Sequence, residues 1–183
     1  PAVAYEVRTQ HTAELIQSLM AQDLDIAITF NPEPHVGINA EKLCRTHLFH
    51  VGPKPVNGEV RKEIALSSID AGRLIGLMDH DPVGRLLDRE MRSAGLFAAP
   101  VIQVQTHAIA CKLAERDCGT TIVDAFTAAA FRAEGKVEVA RISPAIGLDT
   151  VALYSDLRVL PRHSLAFIRC LKTVCATYAV RTG

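Results

Sequence analysis

The feature that most constrains this chain is a strand–helix–strand pattern that occurs twice. The first copy joins VAYEV (residues 3–7) to the helical segment AELIQSLMAQ and then to DLDIAITF (residues 23–30). The second copy joins VIQVQT to HAIACKLAERD (residues 107–117) and then to GTTIVDAF. In both copies a threonine precedes the helical segment. Such units predict parallel sheets with right-handed crossovers, so we expect an α/β fold made of two related, Rossmann-like lobes.

The remaining segments predict how these two lobes are connected. INAEKLCRTHLFHV (residues 38–51) is typical of extended structure, and VNGEVRKE after it is typical of a polar loop. The strands VEVARIS and DTVALYSD and an amphipathic helix at about 161–180 complete the chain. We therefore assign residues 1–54 and 146–183 to the first lobe and residues 55–145 to the second, with the lobes joined by crossing strands.

One helix carries start and stop signals on both sides. In DPVGRLLDREMRSAGL, Asp81 is a suitable N-cap, Pro82 suits the first helical position and Gly95 suits the end of the helix. We expect Thr9, Thr12, Thr106 and Asp124 to be able to cap the helices that follow them in the same way.

Composition and charge exclude several classes of protein. Hydrophobic residues make up 49% of the chain and charged residues 22%, which is sufficient for a packed core. Twenty basic residues balance twenty acidic ones, so the chain has no electrostatic footprint for nucleic acid or for an anionic membrane. It contains no apolar segment long enough to span a bilayer. Its five cysteines have no CxxC spacing, which indicates reduced thiols in a cytoplasmic protein.

The rims of the predicted sheets are where a ligand is expected. Ligands of open α/β sheets bind outside the carboxyl ends of the strands, and helix N-termini there favour carboxylates. We predict a small-molecule cleft between the two lobes, lined by residues of both rims. The candidate residues are Thr9, Gln10, His11, Thr29 and Phe30 in the first lobe, and Asp79, His80, Thr106, His107, Asp124 and Phe126 in the second.

Metal binding and catalysis find little support in the sequence. His107 and Cys111 could share a helix face, but Cys118 lies beyond the helix and no fourth zinc ligand is evident. We therefore predict no metal and no cofactor, and interpret Cys111 and Cys118 as buried thiols. Asp79, His80 and Asp81 could serve acid–base catalysis, but a loop followed by a helix cap explains them as well. No nucleophile elbow or phosphate-binding glycine loop is present.

The ordered set of motifs resembles the effector-binding domain of LysR-type transcriptional regulators. The residues that carry this resemblance are PAVAYEVRT, ELIQSLMAQDLDIAIT, GINAEKL, LIGLMDHDPVGRLLDREMRSAGL and VQTHAIACKLAERDCGTTIVDAFTAAAF. They cover essentially the whole chain. The resemblance implies two lobes around a ligand cleft, as in type II periplasmic binding proteins. It also implies that this chain lacks the first strand and helix of the family's domain and lacks the winged helix-turn-helix. In the full-length protein, DNA would be bound only through that winged helix-turn-helix.

The resemblance also implies roles for individual residues. Thr9 matches the hydroxyl at the start of the first-lobe helix, the loop from Asp79 to Pro82 matches the wall of the second lobe, and His107 matches a position that faces the ligand. IVDAFTA looks most like the corresponding turn in regulators of amino-acid or opine metabolism. Asp124 could therefore pair with the ammonium group of a ligand while helix N-termini bind the carboxylate of the same ligand. Family members form dimers, often within tetramers, and we expect a partner at exposed apolar positions on the helix around Leu15–Met20.

Two other functions stay open. A transport-type solute-binding protein would have the same fold, although the cysteines favour the cytoplasm. An enzyme could use the same cleft with His80 or His107 as its general base. We place the regulator first, then the transport protein and then the enzyme. In such a regulator, an effector that binds one conformation more tightly than another would control the attached DNA-binding units.

Overall fold

The computed structural model describes residues 3–55, 59–78, 81–97 and 100–181. Helices and strands alternate along much of this length. In chain order they are α1 (Thr12–Met20), β1 (Ala27–Phe30), β2 (Ile38–His47), β3 (Phe49–Pro53), β4 (Glu63–Ala65), β5 (Leu74–Leu77), α2 (Pro82–Ser93), β6 (Ile102–Val104), α3 (His107–Glu115), β7 (Thr120–Val123), α4 (Ala125–Glu134), β8 (Val137–Ser143), β9 (Gly147–Ser155) and α5 (Arg162–Arg181). Two short 3₁₀ turns, Leu66–Ser68 and Ala71–Arg73, precede β5.

The chain divides into two units. The first unit runs to Arg45 and resumes from Asp149 to Arg181, and the second unit runs from Thr46 to Leu148. The division therefore falls within β2 and within β9, so the chain passes from one unit to the other along extended strands.

The first unit is built on a three-stranded sheet in the order β1-β9-β2. β1 runs antiparallel to β9, with Ala27 opposite Leu153. Leu15 and Leu19 of α1 pack against these strands and are only 8% and 0% exposed. Our expectation that this helix offers exposed apolar residues to a partner is therefore wrong at these two positions, because they form the core of their own unit.

The segment at residues 3–7 does not form the strand that its period-two pattern predicts. Val3, Tyr5 and Val7 are exposed, and residues 3–11 contain no helix or strand. The Tyr5 ring contacts the Phe167 ring of α5 at 5.4 Å between centroids. A strand is stabilised by hydrogen bonds to a neighbouring strand, and alternation of side chains alone does not supply them.

The second unit is built on a six-stranded sheet in the order β4-β8-β3-β7-β5-β6. β5 is parallel to both β6 and β7, so the second predicted strand–helix–strand unit is confirmed, with α3 as its crossover. β3, however, runs antiparallel to both β7 and β8. The sheet is therefore mixed rather than wholly parallel, because β3 arrives by an extended segment and not through a crossover helix.

The position of β3 also changes the predicted boundaries of the lobes. We expected residues up to 54 and residues from 146 in the first lobe. β3 instead lies between β7 and β8, where Phe49 is opposite both Val123 and Arg141, so residues 46–54 belong with the second unit. The core on this side of the sheet joins Phe49 and Val51 to Cys111, Ala114, Val123, Ala128 and Phe131.

The predicted signals around α2 are confirmed. The Oδ1 atom of Asp81 accepts hydrogen bonds from the backbone N–H groups of Val83 (2.8 Å) and Gly84 (3.1 Å), and Pro82 is the first helical residue. Gly95 follows the helix with φ +73°, a left-handed conformation that glycine adopts without steric cost.

The caps of the other helices agree only in part with the sequence. Thr106 caps α3 and Asp124 caps α4, as predicted. Helix α1, however, begins at Thr12 and has His11 as its N-cap, so neither Thr9 nor Thr12 caps it. The backbone N–H of His11 donates to the side chain of Glu14 at 3.1 Å. This is the bond that a glutamate makes in a capping box, here with histidine rather than threonine as the N-cap residue.

Candidate functional site

Three helices of the second unit begin at the same edge of its sheet. α2, α3 and α4 follow β5, β6 and β7, which are adjacent parallel strands in the order β7-β5-β6. Because parallel strands end at a common edge, the three N-cap residues Asp81, Thr106 and Asp124 lie at that edge. The edge therefore combines three partially positive helix ends with two carboxylates.

His107, the first residue of α3, is held between the two carboxylates. Its Nδ1 donates to Oδ2 of Asp124 at 2.5 Å, and its Nε2 lies 3.7 Å from Oδ1 of Asp81. The side chains of His107, Asp124 and Asp81 are 11%, 5% and 22% exposed. We call these three residues the Asp–His–Asp cluster.

The cluster keeps the imidazole of His107 charged at neutral pH. Burial by itself would lower the pKa of His107, but the hydrogen bond to Asp124 and then the interaction with Asp81 outweigh burial and raise the pKa to about 9. The pKa values of Asp124 and Asp81 are both lowered: burial would raise them, and the interaction with His107 more than offsets it. At neutral pH the cluster is thus an imidazolium between two carboxylates.

Asp124 is fully engaged within the protein. Its Oδ1 accepts from the N–H groups of Phe126 (2.8 Å) and Thr127 (3.0 Å), and its Oδ2 accepts from the Thr127 hydroxyl (2.6 Å) as well as from His107. A ligand ammonium would have to compete with all of these donors. Asp124 thus caps α4 and orients His107.

Cys111, one turn after His107, lies in the core. Its side chain has no exposed surface, and burial followed by the negative charge of Asp124 raises the pKa of its thiol to about 12. The prediction of a buried thiol is confirmed for Cys111 but is wrong for Cys118, which is exposed. Among the described residues, no three His, Cys, Asp or Glu side chains are grouped so that they could hold a metal ion.

Two further predicted residues of this unit border the cluster. Thr106 is half-buried, and its hydroxyl accepts a hydrogen bond from the N–H of Ile109 at 3.3 Å. Phe126, the second residue of α4, is half-buried. Asp79 and His80, which were also predicted, lie outside the described residues.

The predicted residues of the first unit gather at the start of α1. The hydroxyls of Thr12 and Thr29 are 3.0 Å apart, which joins the end of β1 to the first turn of α1 beside His11. Thr29 is buried and Phe30 is half-buried. Thr9 is exposed, and the segment from Val3 to Gln10 lines a cavity of about 430 Å³ together with residues of α1, β1 and α5 and the segment before β1.

Sequence reasoning missed the neighbours that set the charge of His107. Asp81 was assigned to capping, to possible catalysis and to the wall of the second lobe but not to a contact with His107, and Thr127 was not singled out, although the structure brings both into the cluster. The available signal was the alignment of three helix starts after three strands. That signal indicates a shared edge but not which side chains meet there.

The architecture and this site together define an α/β ligand-sensing domain, and comparison with known proteins gives its family. A model of the LysR substrate binding domain matches residues 1–176, so the chain belongs to that family of ligand-sensing regulatory domains. The HTH-type transcriptional regulator DgcR of Pseudoalteromonas sp. is 29% identical over 168 residues, which are 92% of this chain and 57% of that protein. The chain thus spans little more than half of this curated relative.

Solved structures show the same fold at low sequence identity. A cysteine mutant of OxyR from Corynebacterium glutamicum superposes with a TM-score of 0.78 at 14% identity, covering 94% of this chain and 55% of that one. The regulatory domain of CcmR from Synechocystis PCC6803, in complex with 2-PG, superposes with a TM-score of 0.72 at 10% identity, covering 88% and 78%. Within the described part of the chain, no helix is long and apolar enough to cross a membrane.

Proposed function

We propose that this chain senses a small carboxylate, such as an amino acid or an opine, for a cytoplasmic LysR-type transcriptional regulator. The effector binds at the edge of the second unit where α2, α3 and α4 begin. Its carboxylate contacts His107 and the first turn of α3, where an imidazolium and a helix N-terminus both favour an anion. Contacts from Thr9, Gln10, His11, Thr29 and Phe30 stay a prediction.

The observation that carries this proposal is the Asp–His–Asp cluster itself. An ionised histidine at the first position of a helix is unusual for a residue with only a structural role, because burial of its charge costs free energy. Groups with strongly perturbed pKa values gather at functional sites. That CcmR, which shares the fold, is in complex with 2-PG supports a small-molecule ligand for this architecture.

The rest of the regulator is part of the same proposal. DNA is bound by a helix-turn-helix outside this chain, in keeping with the description of the relative DgcR as an HTH-type regulator. Effector binding changes the conformation of the domain, and homodimers or tetramers transmit that change to the DNA-binding units. In this proposal the effector is bound and released without turnover.

Thermal unfolding of the purified protein against amino acids, opines, dicarboxylates and aromatic acids tests the proposal. A ligand present at about 100 times its dissociation constant adds about 2.7 kcal/mol to the free energy of unfolding. For a chain of this size that corresponds to a rise in the unfolding midpoint on the order of 5–11 °C. Circular dichroism is a suitable probe, because the chain contains no tryptophan.

Two histidine variants locate the site. We expect His107→Gln to abolish the ligand-induced rise in the unfolding midpoint. His35→Gln is the matched control, because His35 is exposed in the first unit, and it should keep the full rise. A ligand that stabilises both variants equally would place the site elsewhere, and a ligand that is chemically converted would favour the enzyme.

A further inference from the structure

The Asp–His–Asp cluster has two carboxylates with different surroundings, and this difference indicates a chemical class of effector. We infer that Asp81 binds the ammonium group of an α-amino acid or opine while His107 binds the adjacent carboxylate. The inference rests on the proposed function and goes beyond it, because it names the residue that makes the selective contact and the ligand charge that this residue recognises.

Asp124 is excluded from this role by its bonds. Two backbone N–H groups, a hydroxyl and the imidazolium of His107 already occupy its two oxygens, and its side chain is only 5% exposed. Withdrawing it would uncap α4 and leave His107 with a weaker partner. A ligand gains little from a carboxylate that must first give up four hydrogen bonds.

Asp81 has the opposite character. Its Oδ1 caps α2, and among the described residues its Oδ2 accepts no hydrogen bond. Its side chain is 22% exposed, the most of the three, so it is accessible from solvent while still partly shielded. A carboxylate in such surroundings binds a cation more strongly than one that is fully in water.

The spacing of Asp81 and His107 matches a zwitterion. Oδ1 of Asp81, which also caps α2, lies 3.7 Å from Nε2 of His107, beyond the usual length of a strong charge-assisted hydrogen bond, and Oδ2 belongs to the same carboxylate. The ammonium and carboxylate of an α-amino acid are attached to one carbon atom and are therefore separated by a similar distance. Lying alongside the pair, the ligand places each of its charges next to the opposite charge of the protein.

The test compares ligands that differ only in the amine. Calorimetric titrations of the purified protein would use the standard amino acids in both enantiomeric forms and octopine. Each amino acid that binds would be paired with its amine-free counterpart, such as glutarate for glutamate or propionate for alanine. We expect wild-type protein to prefer the amine-bearing member by on the order of tenfold or more.

The variant Asp81→Asn isolates the role of the charge, because asparagine caps a helix about as well as aspartate. We expect it to remove the preference for the amine while the affinity for the amine-free acid stays within a few-fold. Asp88→Asn, the same change at an exposed position of α2, should keep the preference. A change in the pKa of His107 would alter the affinities for both ligands of a pair alike. The ratio of the two affinities therefore reports on Asp81.

Each other outcome decides against the inference. Equal affinity of wild-type protein for both members of a pair, or an unchanged preference in Asp81→Asn, would overturn it. If an amine-free carboxylate binds in a His107-dependent way and no amino acid or opine does, the proposed function stands and this inference fails. If no probe binds at all, both are overturned.

Discussion

Nδ1 of His107 lies 2.5 Å from Oδ2 of Asp124, although the two residues are seventeen positions apart. The contact exists because α3 and α4 both begin at the edge where β6 and β7 end. It joins the first residue of one helix to the N-cap of the next, so a change in either residue affects both helix starts. Four predictions follow from this contact and from other features of the fold.

The stability of the protein should fall as pH rises from neutral to alkaline. The pKa of His107 is raised from an ordinary value near 6.5 to about 9, so its contribution is complete below about pH 6.5 and is lost as pH rises through 9. We expect the free energy of unfolding to fall by about 3 kcal/mol across this window. Urea titrations followed by circular dichroism at several pH values measure it.

His107→Gln is the control for that pH dependence. Groups other than residue 107 are the same in both proteins, so their contributions to the pH dependence cancel in the difference between them. The difference between wild type and variant should therefore shrink from pH 6.5 to pH 9. A difference that is constant over this range would show that His107 is neutral in the folded protein.

Asp124→Asn should lower the pKa of His107 more than Asp81→Asn does. Asp124 makes the shorter contact, at 2.5 Å against 3.7 Å, and it is the more deeply buried partner. NMR titration of the imidazole resonances gives the pKa in each variant. Asp124→Asn should also destabilise the protein by about 3 kcal/mol, since it breaks a buried ion pair while keeping a side chain able to cap α4. Equal effects of the two variants on the pKa would contradict this order.

Arg61 and Glu138 should be strongly coupled. Glu138 of β8 is 2% exposed and accepts from the backbone N–H of Arg61 (2.5 Å) and from its guanidinium (2.8 and 3.0 Å). Arg61→Ala keeps the backbone N–H that donates to Glu138 but removes the guanidinium, so a buried carboxylate loses its positive partner and we expect a loss of about 3 kcal/mol in the free energy of unfolding.

An exposed ion pair of the same unit provides the comparison. Asp88 and Arg92 of α2 are in contact at 2.8 Å but are both solvent-exposed, so Arg92→Ala should cost no more than about 0.5 kcal/mol. Double-mutant cycles on both pairs measure the two coupling energies. Similar coupling energies would mean that the burial of Glu138 does not strengthen its interaction with Arg61.

Gly119→Ala should destabilise the protein far more than Gly95→Ala. A Cβ at Gly119 would lie 2.4 Å from the backbone carbonyl oxygen of Arg73, whereas a Cβ at Gly95 would meet nothing within 4 Å. Gly95→Ala should therefore cost about 1 kcal/mol, from its positive φ alone, and Gly119→Ala should cost about 3 kcal/mol or more. Thermal unfolding of the two variants decides this, and a smaller cost at Gly119 would mean that the backbone at Arg73 moves easily to make room for the Cβ.

Much of the second unit could be predicted from the sequence, because its signals are local. The start and stop signals of α2, which are Asp81, Pro82 and Gly95, act over a few residues. The caps of α3 and α4 are equally local. The start of α1 was misplaced by one residue, because His11 with Glu14 replaced the expected threonine cap. Capping depends on side-chain geometry that neighbouring polar residues can supply equally well.

The sequence by itself determined where most helices and strands lie, and that the second lobe contains a β–α–β crossover with polar helix starts. Only the tertiary structure decided that β3 runs antiparallel and that residues 3–7 form no strand. It also decided that both oxygens of Asp124 accept hydrogen bonds, whereas among the described residues Oδ2 of Asp81 accepts none. Periodicity and caps are set by neighbours along the chain. Strand pairing and the charge of His107 are set by groups that only the folded sheet brings within hydrogen-bond distance.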